Sequence, residues 1–451
     1  RYFASSAADL PSLLSYFARP AKQYCHHYLE DTAVLSSIHD TDIATWRMLT
    51  VATKEIIAVS RHSDKDVSSP ASSAEIQFSE TAFRFCREFL PGSWRNIQLS
   101  DLIFHKISGG LSNLLYCCEL PGHIPVTEAE PRKVLVRFYG QVNRNRALET
   151  LITECVILTL LSERQRGPRL YGVFPGGRLE EYVAARPLMT IELAHPNVSS
   201  KIAQKLATIH LMDVPMNRNP TRMWDYIERW VQSIEHLVEQ QVTDNPELIT
   251  MIEKLRELDV RKELVWLRKF LEKVNSPVVF CHNDMQEGNI LLRNGDSEGQ
   301  LTEPALENIT VDDLVVIDFE YCGYNQRGFD LANHFAEWMY DYKNDSHPYF
   351  WFRPEKDQAS VKQKEWFVEA YLSTLTESPS YRKRPEDTLE HILVEIEYYT
   401  LASHFFWSLW SVVSNSNTFN RVVEFDYWCY GESRFKEYYS HKAKLLKHYV
   451  R

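Results

Sequence analysis

One stretch, Val278 to Leu292, constrains this chain more than any other; it reads VVFCHNDMQEGNILL. An apolar run of strand character, Val278 to Phe280, ends in His282-Asn283-Asp284, and five residues after Asp284 comes Asn289, which opens a second apolar run. The polar side chains therefore sit on a turn between strands. Downstream, Leu314 to Tyr321 reads LVVIDFEY, with four apolar residues leading into Asp318. A carboxylate at the end of a buried strand is costly unless a cation meets it.

Two carboxylates and an amide in this order suit phosphoryl transfer from ATP. Asp284 can orient an attacking hydroxyl and accept its proton, while the Asn289 amide oxygen and the Asp318 carboxylate hold Mg²⁺ against the nucleotide phosphates. Singly, Asp and Asn are ordinary turn residues; the ordered set with its flanking strands is what selects the chemistry. The pattern resembles the protein-kinase-like fold, with HND in place of HRD and DFE in place of DFG. The missing glycine after Phe319 argues against a regulated protein kinase.

A chain of 451 residues is long enough for two packed lobes. Its formal net charge of -11 argues against nucleic acid or an anionic membrane surface as primary partner, and suits a cationic small substrate. No apolar run reaches the roughly 18 residues of a spanning helix, so no stable membrane insertion is expected. Eight cysteines are scattered through apolar stretches without a CxxC pair, the pattern of reduced thiols in a cytoplasmic protein. Cys281, beside the turn, reads as packing. The chain starts at Arg1 rather than Met, as expected of a fragment, and N-terminal targeting is not readable from it.

Residues 1–73 have no legible role, and Arg61 to Ala74, polar and Ser-rich, reads as a flexible linker. Residues 74–184 read as a nucleotide-binding lobe. A helix from Ala74 stops at Pro91-Gly92. Two strands, Ile97 to Lys106 and Leu114 to Leu120, then flank Ser108-Gly109-Gly110-Leu111-Ser112-Asn113, a small-residue loop whose amides could approach phosphate or simply turn a hairpin. Arg132 to Gly140 alternates as a third strand carrying Arg137, and a helix over Ala147 to Arg164 carries Glu154; an Arg137–Glu154 pair could hold phosphate-binding geometry. A hairpin through Leu170 to Val183 leads out of the lobe, with Glu181 and Val183 as candidates for adenine contact through backbone. Residues 185–451 read as mainly helical, including one long helix over Glu247 to Val274 and another over Asp330 to Tyr342. The acidic segment Asn294 to Asp313 reads as a flexible hairpin insertion.

The acceptor is suggested by aromatics near carboxylates. Glu337 and Tyr342 lie in one short segment, Trp407 and Trp410 share a helix face, and Phe425, Tyr427 and Tyr430 follow. Such a set can be plain core packing, or a box for a quaternary ammonium, which offers no N–H and must be held by π faces and Coulomb attraction. Taken with CHNDMQEGNILL, VVIDFEYCGYNQRGFDLANHFAEW, GGLSN and KVLVRFYG, the chain from about Ala74 onward closely resembles the choline/ethanolamine kinase family. The resemblance implies an α+β, two-lobed fold with a small antiparallel-sheet N-lobe and a larger, mainly helical C-lobe. It implies ATP-dependent phosphorylation of choline, the first step of phosphatidylcholine synthesis by the CDP-choline route, and a homodimer. Position by position, the resemblance implies that Asp284 is the base, that Gln286 helps orient the reacting groups, that Asn289 and Asp318 bind Mg²⁺, and that Arg137 contacts nucleotide phosphate. It also implies that Glu320, Tyr321, Glu337, Tyr342, Trp407, Trp410, Phe425 and Tyr430 surround the substrate. Ethanolamine kinases share every catalytic motif, and aminoglycoside phosphotransferases share the turn; an inactive nucleotide-binding scaffold is disfavoured by the intact Asp284, Asn289 and Asp318.

Overall fold

The computed structural model describes residues 71–107, 113–139, 148–240, 246–293, 302–416 and 425–449. The N-terminal segment before residue 71 and the glycine loop Ser108 to Ser112 lie outside the described residues. The chain divides into two compact units, one of Arg1–Leu148 with Tyr171–Glu180, the other of Glu149–Leu170 with Glu181–Arg451.

The first unit is a sheet with one helix. Helix α1, Ala71–Phe89, stops just before Pro91, and the strands are β1 (Ile103–Ile107), β2 (Asn113–Glu119) and β3 (Lys133–Tyr139). Helix α2, Leu148–Glu163, comes next in sequence, and then β4 (Leu170–Phe174) and β5 (Gly177–Glu181). Sheet order is β1-β2-β3-β5-β4, with β2 antiparallel to both β1 and β3. Strand β1 begins later than its apolar residues suggest, because Leu99–Asp101 forms a 3-10 turn closed by the Gln98 N–H donating to Asp101 Oδ2 at 2.8 Å. In β3 the alternation is real: Val134, Val136 and Phe138 are buried with Phe85, Trp94, Tyr116, Phe174 and Leu179. Each such buried side chain contributes roughly 1.5–3 kcal/mol.

Helix α2 carries Ile157, Leu158 and Leu161 into the core of the second unit. That unit continues through β6 (Ala185–Pro187), α3 (Pro196–His210), α4 (Arg222–Gln240), α5 (Pro246–Leu258) and α6 (Val260–Leu271). The single long helix expected over 247–274 is two, because Asp259 adopts φ 43° and its side chain accepts from Lys262 N at 3.2 Å, capping α6. Strands β7 (Val278–Cys281), β8 (Ile290–Arg293), β9 (Leu314–Val316) and β10 (Gly323–Gln326) follow. They pair as β6-β8-β9 and as β7-β10, antiparallel throughout. Helix α7 (Arg327–Glu337) is shorter than expected, since Tyr340–Asp341 (β11) pairs instead with Trp351–Phe352 (β12). Helices α8 (Val361–Glu377), α9 (Leu389–Ser416) and α10 (Tyr427–Tyr449) complete the unit, with α9 packed between α7 and α10. The architecture is α+β, and no helix among the described residues is long and apolar enough to cross a membrane.

Candidate active site

The turn after β7 is built by hydrogen bonds that its own sequence can supply only in part. Asn283 takes φ 68°, a left-handed conformation that Asn tolerates better than most residues. The Asp330 carboxylate, on α7, accepts from His282 N at 2.7 Å and from Asn283 N at 2.8 Å. Burial would raise that carboxyl, but its bond and charge interaction with His210 hold it below its ordinary value. His210 bridges Asp330 (3.0 Å) and the Tyr371 hydroxyl (2.8 Å). His282 Nδ1 accepts from Asp284 N at 3.2 Å, which leaves the proton on Nε2 to be donated to Ile317 O at 3.0 Å. Burial keeps that imidazole neutral.

The strand register then assembles the acidic set. Ile290 pairs with Val316, and one step outward Ile317 N donates to Asn289 O at 2.9 Å, so Asn289 and Asp318 come side by side at the ends of β8 and β9. Asp318 takes φ 62° where the chain leaves the strand. Asn289 Nδ2 donates to both Asp284 O and Asp284 Oδ2, each at 2.9 Å, which turns its amide oxygen away from Asp284. Desolvation pushes the Asp284 carboxyl well above the usual carboxylate range, and Glu337, Asp318 and Glu320 push it further. Hard oxygen donors crowded in this way fit Mg²⁺, which would relieve the repulsion. Gln286 Oε1 accepts from Gly288 N at 2.7 Å, capping the 3-10 turn Glu287–Asn289.

The aromatic residues expected around the substrate meet in the second unit. Tyr321 packs edge-on to Trp407 at 5.3 Å, Trp407 to Trp410 at 5.4 Å, and Trp410 to Tyr430 at 6.4 Å. Tyr430 lies 5.5 Å from Phe425 and 6.1 Å from Tyr342. Glu337 is buried among them and accepts from the Tyr342 hydroxyl at 2.7 Å. Asn333 ties the aromatic group to the turn, its Oδ1 accepting from Trp407 Nε1 at 2.7 Å while its Nδ2 donates to Asn283 O at 3.4 Å.

Of the nucleotide candidates, Arg137 is buried on β3, and its Nε donates to Glu180 Oε1 at 2.9 Å. Arg178 shares that oxygen at 2.8 Å, and burial notwithstanding, the two cations hold the Glu180 carboxyl below its ordinary value. Glu154 is buried on α2. The Glu181 amide is already engaged, donating to Arg169 O at 2.7 Å, and Val183 is buried. Asn113 opens β2.

Sequence reasoning missed several supports. Asp330, Asn333 and His334 hold the turn from α7: Asn333 Nδ2 donates to Asn283 O at 3.4 Å, and His334 Nδ1 bonds Met285 O at 2.9 Å. Polar residues at helical spacing in an otherwise apolar segment were the available signal. Arg434, a fully buried cation on α10, pairs with Glu337. Glu287 is also buried, its carboxyl pushed up to about 8 by desolvation and then by Glu337. Cys281 is an inert thiol, raised well above its ordinary pKa by burial.

A family model described as choline/ethanolamine kinase matches residues 104–439. A choline/ethanolamine kinase of Homo sapiens is 42% identical over 376 residues, covering 83% of this chain and 89% of that protein. The crystal structure of a choline kinase from Cryptosporidium parvum Iowa II aligns with TM-score 0.60 at 25% identity, covering 82% of this chain and 96% of the other. A Plasmodium vivax ethanolamine kinase, at 19% identity, shares the fold with TM-score 0.62 over 90% of this chain and 96% of its own. The kinase-like fold anticipated from the HND and DFE motifs is therefore present, and with the family model spanning both the β-sheet unit and the turn, the chain belongs to the choline/ethanolamine kinase family.

Proposed function

We propose that this kinase transfers the γ-phosphoryl group of MgATP to the hydroxyl of choline, giving phosphocholine and ADP. The observation that carries the reading is the run of aromatic rings from Tyr321 through Trp407, Trp410 and Tyr430 to Phe425 and Tyr342, gathered about Glu337, whose charge acts on Asp284. A trimethylammonium group is held against π faces, each worth roughly 0.5 to 2 kcal/mol. The short arm of choline then carries its hydroxyl toward Asp284, which orients it and takes its proton as the new P–O bond forms. Asn289 and Asp318 would hold Mg²⁺, whose charge neutralises the phosphate oxygens. Phosphate contact falls to the loop Ser108 to Asn113 and to Arg137, and adenine to the backbone near Glu181 and Val183.

An aminoglycoside, rich in hydroxyls and amines, would want acceptors where this pocket has ring faces. Ethanolamine is the nearer rival, since family membership covers both amino alcohols. Steady-state kinetics with ATP and Mg²⁺ on choline and ethanolamine side by side test the reading. Choline is expected to have the higher kcat/KM. Preference for ethanolamine, or turnover of neither, would overturn it.

A further inference from the structure

The carboxylate of the aromatic box does not stand alone. Arg434 Nη2 bonds Glu337 Oε1, and the same guanidinium donates to the Tyr430 hydroxyl through Nε at 3.0 Å and Nη2 at 2.7 Å. The Tyr430 and Tyr342 hydroxyls are hydrogen-bonded at 3.1 Å, and the Tyr342 hydroxyl donates to Glu337 Oε2 at 2.7 Å. Four side chains, one from α7, two from α10 and one from the residue that follows β11, thus close a ring. Arg434 is further clamped over the Tyr340 ring, 4.0 Å from its centroid, and its Nη1 lies 3.4 Å from His404 Nδ1. Burial keeps His404 neutral, so it adds no charge. The charged groups that feel Glu337 are Asp284, Glu287 and Arg434, and Arg434 is the cation among them.

This ring bears on which ammonium the box can take. A primary ammonium brings three N–H donors and a firmly held hydration shell, and it must find acceptors when it leaves water. Here both oxygens of Glu337 already accept, one from a full positive charge, and the local ion pair is neutral. A trimethylammonium asks for no acceptor, and its diffuse charge is met by ring faces that the closed hydrogen bonds hold in place.

We propose that Arg434 is a positioning residue that sets the preference for a quaternary over a primary ammonium, by neutralising Glu337 and locking it with Tyr342 and Tyr430. The inference rests on the proposed choline kinase activity and deepens it. Replacing Arg434 leaves Glu337 a carboxylate without its cation, which a primary ammonium can engage directly, a gain choline cannot match.

The experiment compares kcat/KM for choline and for ethanolamine in the wild-type enzyme and in Arg434→Gln. The choline-to-ethanolamine ratio is expected to fall by about tenfold, the scale of one charge-assisted hydrogen bond. The change should be carried by the two KM values rather than by kcat. Should Arg434→Gln fail to fold, Tyr342→Phe opens the same ring at Glu337 Oε2 without removing the buried cation, and the ratio should again fall, by several-fold. A residue that only supported the fold would depress both substrates alike. A ratio that stays within about twofold of wild type in the folded variants, with choline turned over normally by the wild type, overturns the role of Arg434 and leaves the activity standing. A wild-type enzyme inactive on choline overturns the activity and, with it, this inference.

Discussion

Asp284 is held by a contact that also limits what replacing it can do. Asn289 Nδ2 donates to its Oδ2 at 2.9 Å, so Asp284→Asn can keep the same shape by presenting its amide oxygen there. It loses only the ability to take a proton. We expect kcat to fall by roughly 10² to 10⁴ fold with nucleotide affinity nearly unchanged; a variant keeping a tenth of the wild-type rate would remove Asp284 from the role of base. The two indoles differ in a way that spacing alone did not reveal. Trp407 is buried and donates through Nε1 to Asn333 Oδ1 at 2.7 Å, whereas Trp410 is half-buried. Trp410→Ala should therefore raise the choline KM by roughly 5- to 30-fold with a smaller change for ethanolamine. Trp407→Ala should do the same and also lower the unfolding midpoint, because Asn333 loses a partner inside the core. Equal choline KM values in wild type and both variants would reduce the indoles to packing. Asp284, Asn289 and Asp318 were legible because a short turn and an adjacent strand place them. Arg434 was not, since its role arises from a contact 97 residues away.

At the scale of an element, helix α7 is the part of the site whose importance the sequence concealed. Asp330, Asn333, His334 and Glu337 stand at intervals of three, four and seven, one face of a helix, and all four are buried. Read from the chain, DLANHFAE is an amphipathic stretch with a charged side. In the fold that polar side faces inward, where Asp330 orders the turn, His334 and Asn333 hold its carbonyls, and Glu337 enters the aromatic box. Hydrophobic periodicity reports which face is apolar and says nothing of where a buried polar face finds its partners. The prediction here concerns Asp330→Asn. Both carboxylate oxygens accept from backbone N–H groups, so an amide must aim its NH₂ at a donor. The variant should lose about 2 to 4 kcal/mol of stability and a large part of kcat together. A denaturation midpoint equal to wild type would show that the turn holds its shape without that carboxylate.

Across the whole molecule, the strand-turn-strand core was readable because it depends on local alternation and turn chemistry, whereas the α+β class came from the resemblance that the motifs carry. Helix α10 was not readable: its apolar residues are interrupted by Arg434 and Lys442, whose burial or pairing only tertiary contacts decide. The same buried polar groups should govern how stability depends on pH. His334 is fully buried, with Nδ1 on Met285 O at 2.9 Å and Nε2 accepting from Trp338 Nε1 at 3.3 Å, a pattern that only the neutral ring with its proton on Nδ1 satisfies. Desolvation pushes its pKa from 6.5 down to about 4. Below pH 6.5 the unfolded chain therefore binds a proton that the folded one refuses, and the stability His334 contributes above that pH is lost as the pH falls toward 4. Glu287 acts in the opposite sense. Its folded carboxyl, raised from 4.5 to about 8, keeps a proton that the unfolded chain has released, so across that range it favours the folded state more as pH falls. The two partly cancel in the wild-type curve, and a single-site comparison separates them. His334→Asn can still donate to Met285 O, has no ring to protonate, and should be less stable than wild type at pH 7.5 because the core loses ring contacts. That deficit should shrink by about 1.4 kcal/mol for each pH unit between 6.5 and 4.5, as wild type alone suffers the proton penalty. Urea midpoints for both proteins across this range, without nucleotide or Mg²⁺, supply the measurement; a deficit that does not change with pH would mean that His334 is already charged, or exposed, in the folded protein.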